Sequence, residues 1–171
     1  MKKVLIALCF LIPVFGFSQT DSSWIFSKTI QLDSVSKGKI FAVAKEFFIN
    51  HDMGTGKQFV LEMATGTISG AGSFPAVVSR GLSYSDKGVV VYTFKFLSKD
   101  GKCKITLSNF EHFLIMANGG SLTNEKPKCG NFAISQKVWG KIKEASKKQA
   151  DLILSQFEIT MKKLITNKED F

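Results

Sequence analysis

The chain has 171 residues, a formal net charge of +9, and 44% hydrophobic against 22% charged residues. That apolar share excludes a disordered or low-complexity chain and leaves enough side chain to build a core. Arg80 is its one arginine; base readout and bidentate phosphate clamping rely on the planar fork of arginine, so the charge points to diffuse electrostatics and away from nucleic acid as a partner.

Lys2 and Lys3 precede an apolar run from Val4 to Phe15, and Gly16 and Ser18 place small residues three and one positions before a cut at Gln19. This three-part pattern predicts a secretory signal peptide over residues 1–18 that is removed on export. The run is shorter than the roughly 20 residues a membrane-spanning helix needs. Cys9 falls inside the discarded peptide, because Leu8 occupies the place where a lipid-modified cysteine needs a small neighbour. Loss of two lysines leaves a mature charge of +7 on 153 residues. In the periplasm or outside the cell, that charge meets lipid head groups and envelope polysaccharide. Cys103 and Cys129 remain, and an even count in an oxidising compartment permits one disulfide between them. No CxxC or Cys/His cluster suggests a metal site.

In chain order, Trp24 to Leu32 alternates Phe26, Ile30 and Leu32 on one face, interrupted by Lys28, and predicts a half-buried strand. Ser36 caps a helix whose Ile40, Val43, Ala44, Phe47 and Phe48 fall on one stripe, ending near Asn50. A hairpin follows around Ala64-Thr65-Gly66; its second arm carries Gly70 and Gly72, which imply a bulge or a close approach by another backbone. Residues 74–87 read as a loop. Asp100-Gly101 then joins two β-branched and aromatic runs as a hairpin. Val90, Tyr92, Phe94 and Phe96 share one face of its first arm, and Cys103, Ile105 and Leu107 share a face of the second. Val89, Val91 and Leu97 make the first arm apolar on both sides, so cover is expected over each. Residues 114–132 form an irregular connection. From Ser135, a helix of about thirty residues, roughly 45 Å long, carries a stripe of Val138, Ile142, Ala145, Leu152, Ile153, Phe157, Met161 and Leu164. One domain over residues 22–167, with a tail at 168–171, is the expected organisation.

The order is strand, helix, four strands, helix. Together with "LDSVSKGKIFAVAKEFF", "TGTISGAGSF", "SKDGKCKITLSNFEH" and "GGSLTNEKPKC", it resembles the family of exported bacterial domains of unknown function with a TATA-binding-protein-like (TBP-like) fold, over roughly residues 25–165. The resemblance implies an α+β fold with an antiparallel sheet and a long C-terminal helix. Cys103 departs from the aromatic residue it implies at that position. The TATA-binding protein itself uses two tandem copies as a saddle on the DNA minor groove. A single copy with an export signal does not inherit that function from its fold.

No motif supplies chemistry. "HDMGTGKQ" lacks the first glycine and the hydroxyl residue of a phosphate-binding loop, and "SGAGSF" lacks the third glycine of a dinucleotide fingerprint. His51 beside Asp52 and His112 beside Glu111 are expected to be surface histidines, and no cysteine nucleophile is marked by a neighbouring histidine. The sequence therefore assigns no catalytic residue, no cofactor and no metal. Its most promising surface is the lysine side of the last helix, Lys137, Lys141, Lys143, Lys147, Lys148, Lys162 and Lys163, as a face for anionic lipid or polysaccharide. The resulting expectation is an exported, non-catalytic domain that binds an envelope protein, lipid or glycan. The alternatives are an enzyme whose site assembles only in three dimensions and a structural protein of envelope assembly. Intact-mass measurement on exported material should give an N-terminus at or within a residue or two of Gln19; full-length chain held in the membrane would reverse the export reading.

Overall fold

The computed structural model describes residues 24–50, 59–80, 83–115, 118–131 and 133–167. The expected signal peptide, the His51-Asp52 turn with "HDMGTGKQ", and the tail at 168–171 lie outside them. The elements are β1 (Phe26–Gln31), α1 (Lys37–Asn50), β2 (Phe59–Glu62), β3 (Thr67–Arg80), β4 (Ser83–Lys99), β5 (Lys102–Phe113), β6 (Gly120–Ser121) and α2 (Gln136–Asn167). All described pairings are antiparallel, in the order β1-β5-β4-β3-β2. The two-residue β6 shares with β1 the edge of β5 that β4 leaves free.

The β4–β5 turn also organises the start of α1. Gly101 adopts φ +72°, which suits a residue without Cβ. Its N–H donates to Val35 O at 2.9 Å, its carbonyl accepts from Leu32 N at 2.8 Å, and the Asp100 carboxylate accepts the Lys37 N–H at 2.7 Å. Ser36 Oγ accepts the Lys39 N–H at 3.4 Å, so the first turn of α1 is capped from its own sequence and from the hairpin.

Both helices lie on one side of the sheet. Phe48 of α1 stacks on Phe94 with ring centroids 4.7 Å apart, while Phe157 of α2 meets Phe47 at 4.9 Å and Phe96 at 5.8 Å. A second aromatic group joins Tyr92, Phe110, Phe74, Phe26 and Trp24. The two groups belong to one continuous core. Lys28, which interrupts the inward face of β1, reaches Glu158 on α2 at 2.7 Å. Gly72 stands opposite Tyr92, and a Cβ there would lie 2.4 Å from its ring. The close approach anticipated at the strand glycines is therefore made at Gly72 by an aromatic side chain, not by backbone.

Three expectations change. Residues 74–80 and 83–87 are strand, not loop: β3 and β4 continue through a register shift between Pro75 and Val77, and the bulge accommodates a proline that otherwise reads as a strand breaker. The far face of β4 is uncovered: Val89 is exposed and Val91 and Leu97 are half-buried. Its apolar residues are diluted by Thr93 and Lys95 in the same strand and by Ser69, Ala71, Thr106 and Ser108 beside it, so the patch is too small to require a second layer. Finally, the buried stripe of α2 is Trp139, Ile142, Ser146, Ala150, Leu154, Phe157, Met161 and Ile165, whereas Leu152 is 48% exposed. At about 100° per residue, Leu152 lies some 200° from both Ala150 and Leu154. Ser146 Oγ donates to the Ile142 carbonyl at 2.8 Å, which lets a hydroxyl occupy the stripe. Leu154→Ala should cost about 2–5 kcal/mol in chemical denaturation and Leu152→Ala less than about 1 kcal/mol; equal losses would contradict this orientation of α2.

Candidate functional site

The lysines of α2 do not form one face. By helical angle, Lys143, Lys147 and Lys162 flank the buried stripe, while Lys137, Lys141, Lys148 and Lys163 lie on the far side. Lys143 Nζ donates to Asn124 O at 3.0 Å, and Lys143 and Lys147 stand 5.9 and 5.3 Å from the Trp24 ring centroid. Lys148 pairs with Glu144 at 2.8 Å, and Lys162 and Lys28 share Glu158, each at 2.7 Å. Hydrogen bonds from Lys162, then from Lys28, hold the Glu158 carboxyl down at about 2, and the Lys148 bond lowers that of Glu144. Carboxylates thus offset Lys148 and Lys162, while Lys143 and Lys147 are engaged by a carbonyl and an aromatic ring. Lys137 and Lys141 line a hollow of about 250 Å³ with Val78, Ser135 and Val138.

The open face of the sheet carries a different set of charges. Alternation along β4 and β5 puts Lys95, Lys99, Lys102 and Lys104 on the side away from the helices, all exposed. Lys99 and Lys102 are directly opposed, and Lys104 stands between Leu97 and Thr29. None of these four makes an ion pair among the described residues. Asp100, next to them in sequence, faces the start of α1. Like charges directly opposed in a sheet destabilise it by about 0.2–1 kcal/mol, a cost that no described carboxylate relieves. Thr29, Leu97, Lys99, Lys102 and Lys104 surround a hollow of about 200 Å³. Beyond it lies a hydroxyl band in which Thr93 Oγ1 and Ser108 Oγ are 3.0 Å apart and Asn109 Nδ2 donates to Thr93 Oγ1 at 3.1 Å. The far end is mainly apolar, with Pro75, Val89 and Phe113 in register and exposed, and Glu111 exposed opposite Val91.

Sequence reading missed these lysines although a signal was present. Lys95 and Lys99 share the period-two phase of one arm, and Lys102 and Lys104 that of the other. A two-residue Asp100-Gly101 turn by itself sets Lys99 opposite Lys102.

His112 is buried, not on the surface as expected. A register shift between Val91 and Thr93, with Asn109 at φ +53°, changes the phase of β5, so Phe110 and His112 point into the core and Glu111 points out. His112 Nε2 bonds the Lys87 carbonyl, its ring meets Trp139 edge-on at 5.8 Å, and its buried Nδ1 has no hydrogen-bond partner. Burial lowers its pKa from 6.5, against a smaller opposing effect of the Lys87 bond.

The expected disulfide is not formed: Cys103 and Cys129 are both free thiols. Cys103 lies near the start of β5, whereas the loop holding Cys129 is tied to the far end through Lys128 N to Gly119 O at 2.8 Å. The two positions are separated by roughly 25–30 Å of strand, far beyond the span a disulfide bridges. Burial pushes the Cys103 thiol up to about 12 and so suppresses its thiolate. Among the described residues no group of His, Cys, Asp or Glu could hold a metal ion.

A six-stranded antiparallel sheet with helices on one side and a long C-terminal helix defines an α+β protein of the TBP-like class. The family model for a domain of unknown function (DUF4468) with TBP-like fold matches residues 26–113, and the chain belongs to that family. Among solved structures it is similar to a DUF4468 family protein from Bacteroides ovatus, with 18% identity, TM-score 0.63, and coverage of 80% of this chain and 85% of the other. It is also similar to a TBP-like protein from Parabacteroides distasonis, with 11% identity, TM-score 0.56, and coverage of 82% and 93%. At these identities the likeness concerns the fold alone. No curated protein matches the chain.

Because burial lowers the His112 pKa, the folded chain binds fewer protons than the unfolded chain as the pH falls below about 6.5. The stability is therefore full above that value and declines as the pH drops towards the folded pKa. Thermal melts between about pH 7.5 and 5 should show this decline in the native chain and a shallower one in His112→Gln; identical slopes would remove His112 as its source.

Proposed function

We propose that the protein is an exported, non-catalytic binding domain of the bacterial cell envelope, and that it engages its partner through the uncovered face of its sheet. The observation that carries this reading is the chemistry of that face: unpaired lysines at one end, hydroxyls in the middle and exposed apolar side chains at the other. A protein that needed only a core could leave this surface uniformly polar. Support for export comes from the sequence pattern of residues 1–18.

The titratable groups in the core favour binding over catalysis. The buried Cys103 thiol and Tyr92 hydroxyl are each pushed up to about 12, which keeps both protonated and poorly nucleophilic near neutral pH.

Photo-crosslinking side chains placed at Thr29 and Val89, on the open face, should capture an envelope component in cells, while the same groups at Leu152 and Ile159, exposed on α2, should not. Capture from the helix positions alone would overturn this assignment of the surface.

A further inference from the structure

We propose that the lysine end of the open sheet face is a binding site for an acidic polysaccharide. This deepens the reading of that face as the binding surface and rests on it. Lys99 and Lys102 are directly opposed, Lys104 follows two residues along β5, and Lys95 lies one repeat further along β4. Together they present cationic groups at a pitch of about 5 Å across the strands and 7 Å along them. The sheet holds these like charges side by side without a described carboxylate between them. A polyanion laid across the rows would supply the missing countercharge at several points at once.

Three features select a glycan from among polyanions. The lysines are bordered by Ser27, Thr29, Gln31 and Thr106, short polar side chains on the same face that can exchange hydrogen bonds with sugar hydroxyls. An anionic membrane would call for apolar side chains beside the cations. Here Leu97 among the lysines is half-buried and Val60, in line with Ser69 and Lys95 two strands away, is an isolated exposed apolar side chain on the same face, while Val89 and Phe113 are at the far end, ten residues along β4 from Lys99, a distance of about 33 Å. Single-stranded nucleic acid would call for aromatic stacking platforms, and the lysine end carries none. The hollow of about 200 Å³ between Thr29, Leu97 and the lysines is large enough for one charged group of a sugar unit, with Leu97 against its apolar side.

The test uses the purified protein with heparin as a polysulfated chain, polygalacturonate as a polycarboxylate, neutral dextran, and vesicles containing phosphatidylglycerol. Binding to the two acidic chains should weaken with added salt, and dextran should not bind. The triple variant Lys99→Gln, Lys102→Gln, Lys104→Gln should lose at least about tenfold in affinity for one or both acidic chains. It should melt at or above the native temperature, because it removes a repulsion from the sheet. The control Lys137→Gln, Lys148→Gln, Lys163→Gln, on the exposed side of α2, should stay within about twofold of the native affinity. Unchanged binding by the sheet variant, an equal loss in the helix variant, or preferential binding to the vesicles would each overturn the proposal. If Thr29 and Val89 capture a partner in cells while neither acidic chain binds, the glycan assignment falls and the open face keeps its role.

Discussion

The packing of both helices against a single side of the sheet is the constraint on which the other features depend. It obliges each strand to send its large side chains the same way, so Ile30, Ile68, Phe94, Phe96, Ile105 and Leu107 converge under α1 and α2. Phe157 is central to this arrangement because it touches Phe47, Phe48 and Phe96, joining both helices to a middle strand. The opposite side is then free of the demands of the core. Its residues can carry hydroxyls and unpaired charge at small cost to the fold, as Thr93, Thr106 and the lysines near the β4–β5 turn do.

That turn links local and long-range order. Asp100 and Gly101 reverse the chain, set the pairing of β4 with β5, and supply hydrogen bonds to Val35, Leu32 and Lys37. The start of α1 is therefore referenced to the same point that fixes which lysines face each other. Its geometry serves the core on one side and the charged surface on the other.

Elements with strong local periodicity were legible in the sequence. Ser36 with Ile40, Val43, Ala44, Phe47 and Phe48 specifies α1 without ambiguity, and the Asp100-Gly101 hairpin is specified by its turn chemistry. Features that depend on a neighbour were not legible. Pro75 looks like a break until the β4 register shows the bulge that absorbs it. Ser146 does not announce itself as a core residue, because its hydroxyl is satisfied by its own helix, and omitting it rotates the inferred stripe towards Leu152. Charge counting drew attention to the lysines of α2. The i,i+4 spacing of Glu144 with Lys148 and of Glu158 with Lys162 was readable on the expected helix, but the contacts of Trp24 with Lys147 and of Lys28 with Glu158 join residues far apart in the chain and were not.

The irregularity at Asn109 means that β5 is read in two frames. Up to Leu107 the odd-numbered residues face the helices; from Phe110 the even-numbered ones do. Its first half pairs with β1 and its last residues with β6, so the change of frame falls between two partners on the same edge. Regular alternation at the present length would turn Phe110 and His112 out to water and drive Glu111 in among the aromatic rings, whereas a chain one residue shorter between Leu107 and Phe110 would alternate regularly with both still facing the core. The irregularity thus accommodates one extra residue without changing which side chains reach the core, whereas a change of length at Asp100-Gly101 would shift which lysines oppose one another and the bonds that hold the start of α1.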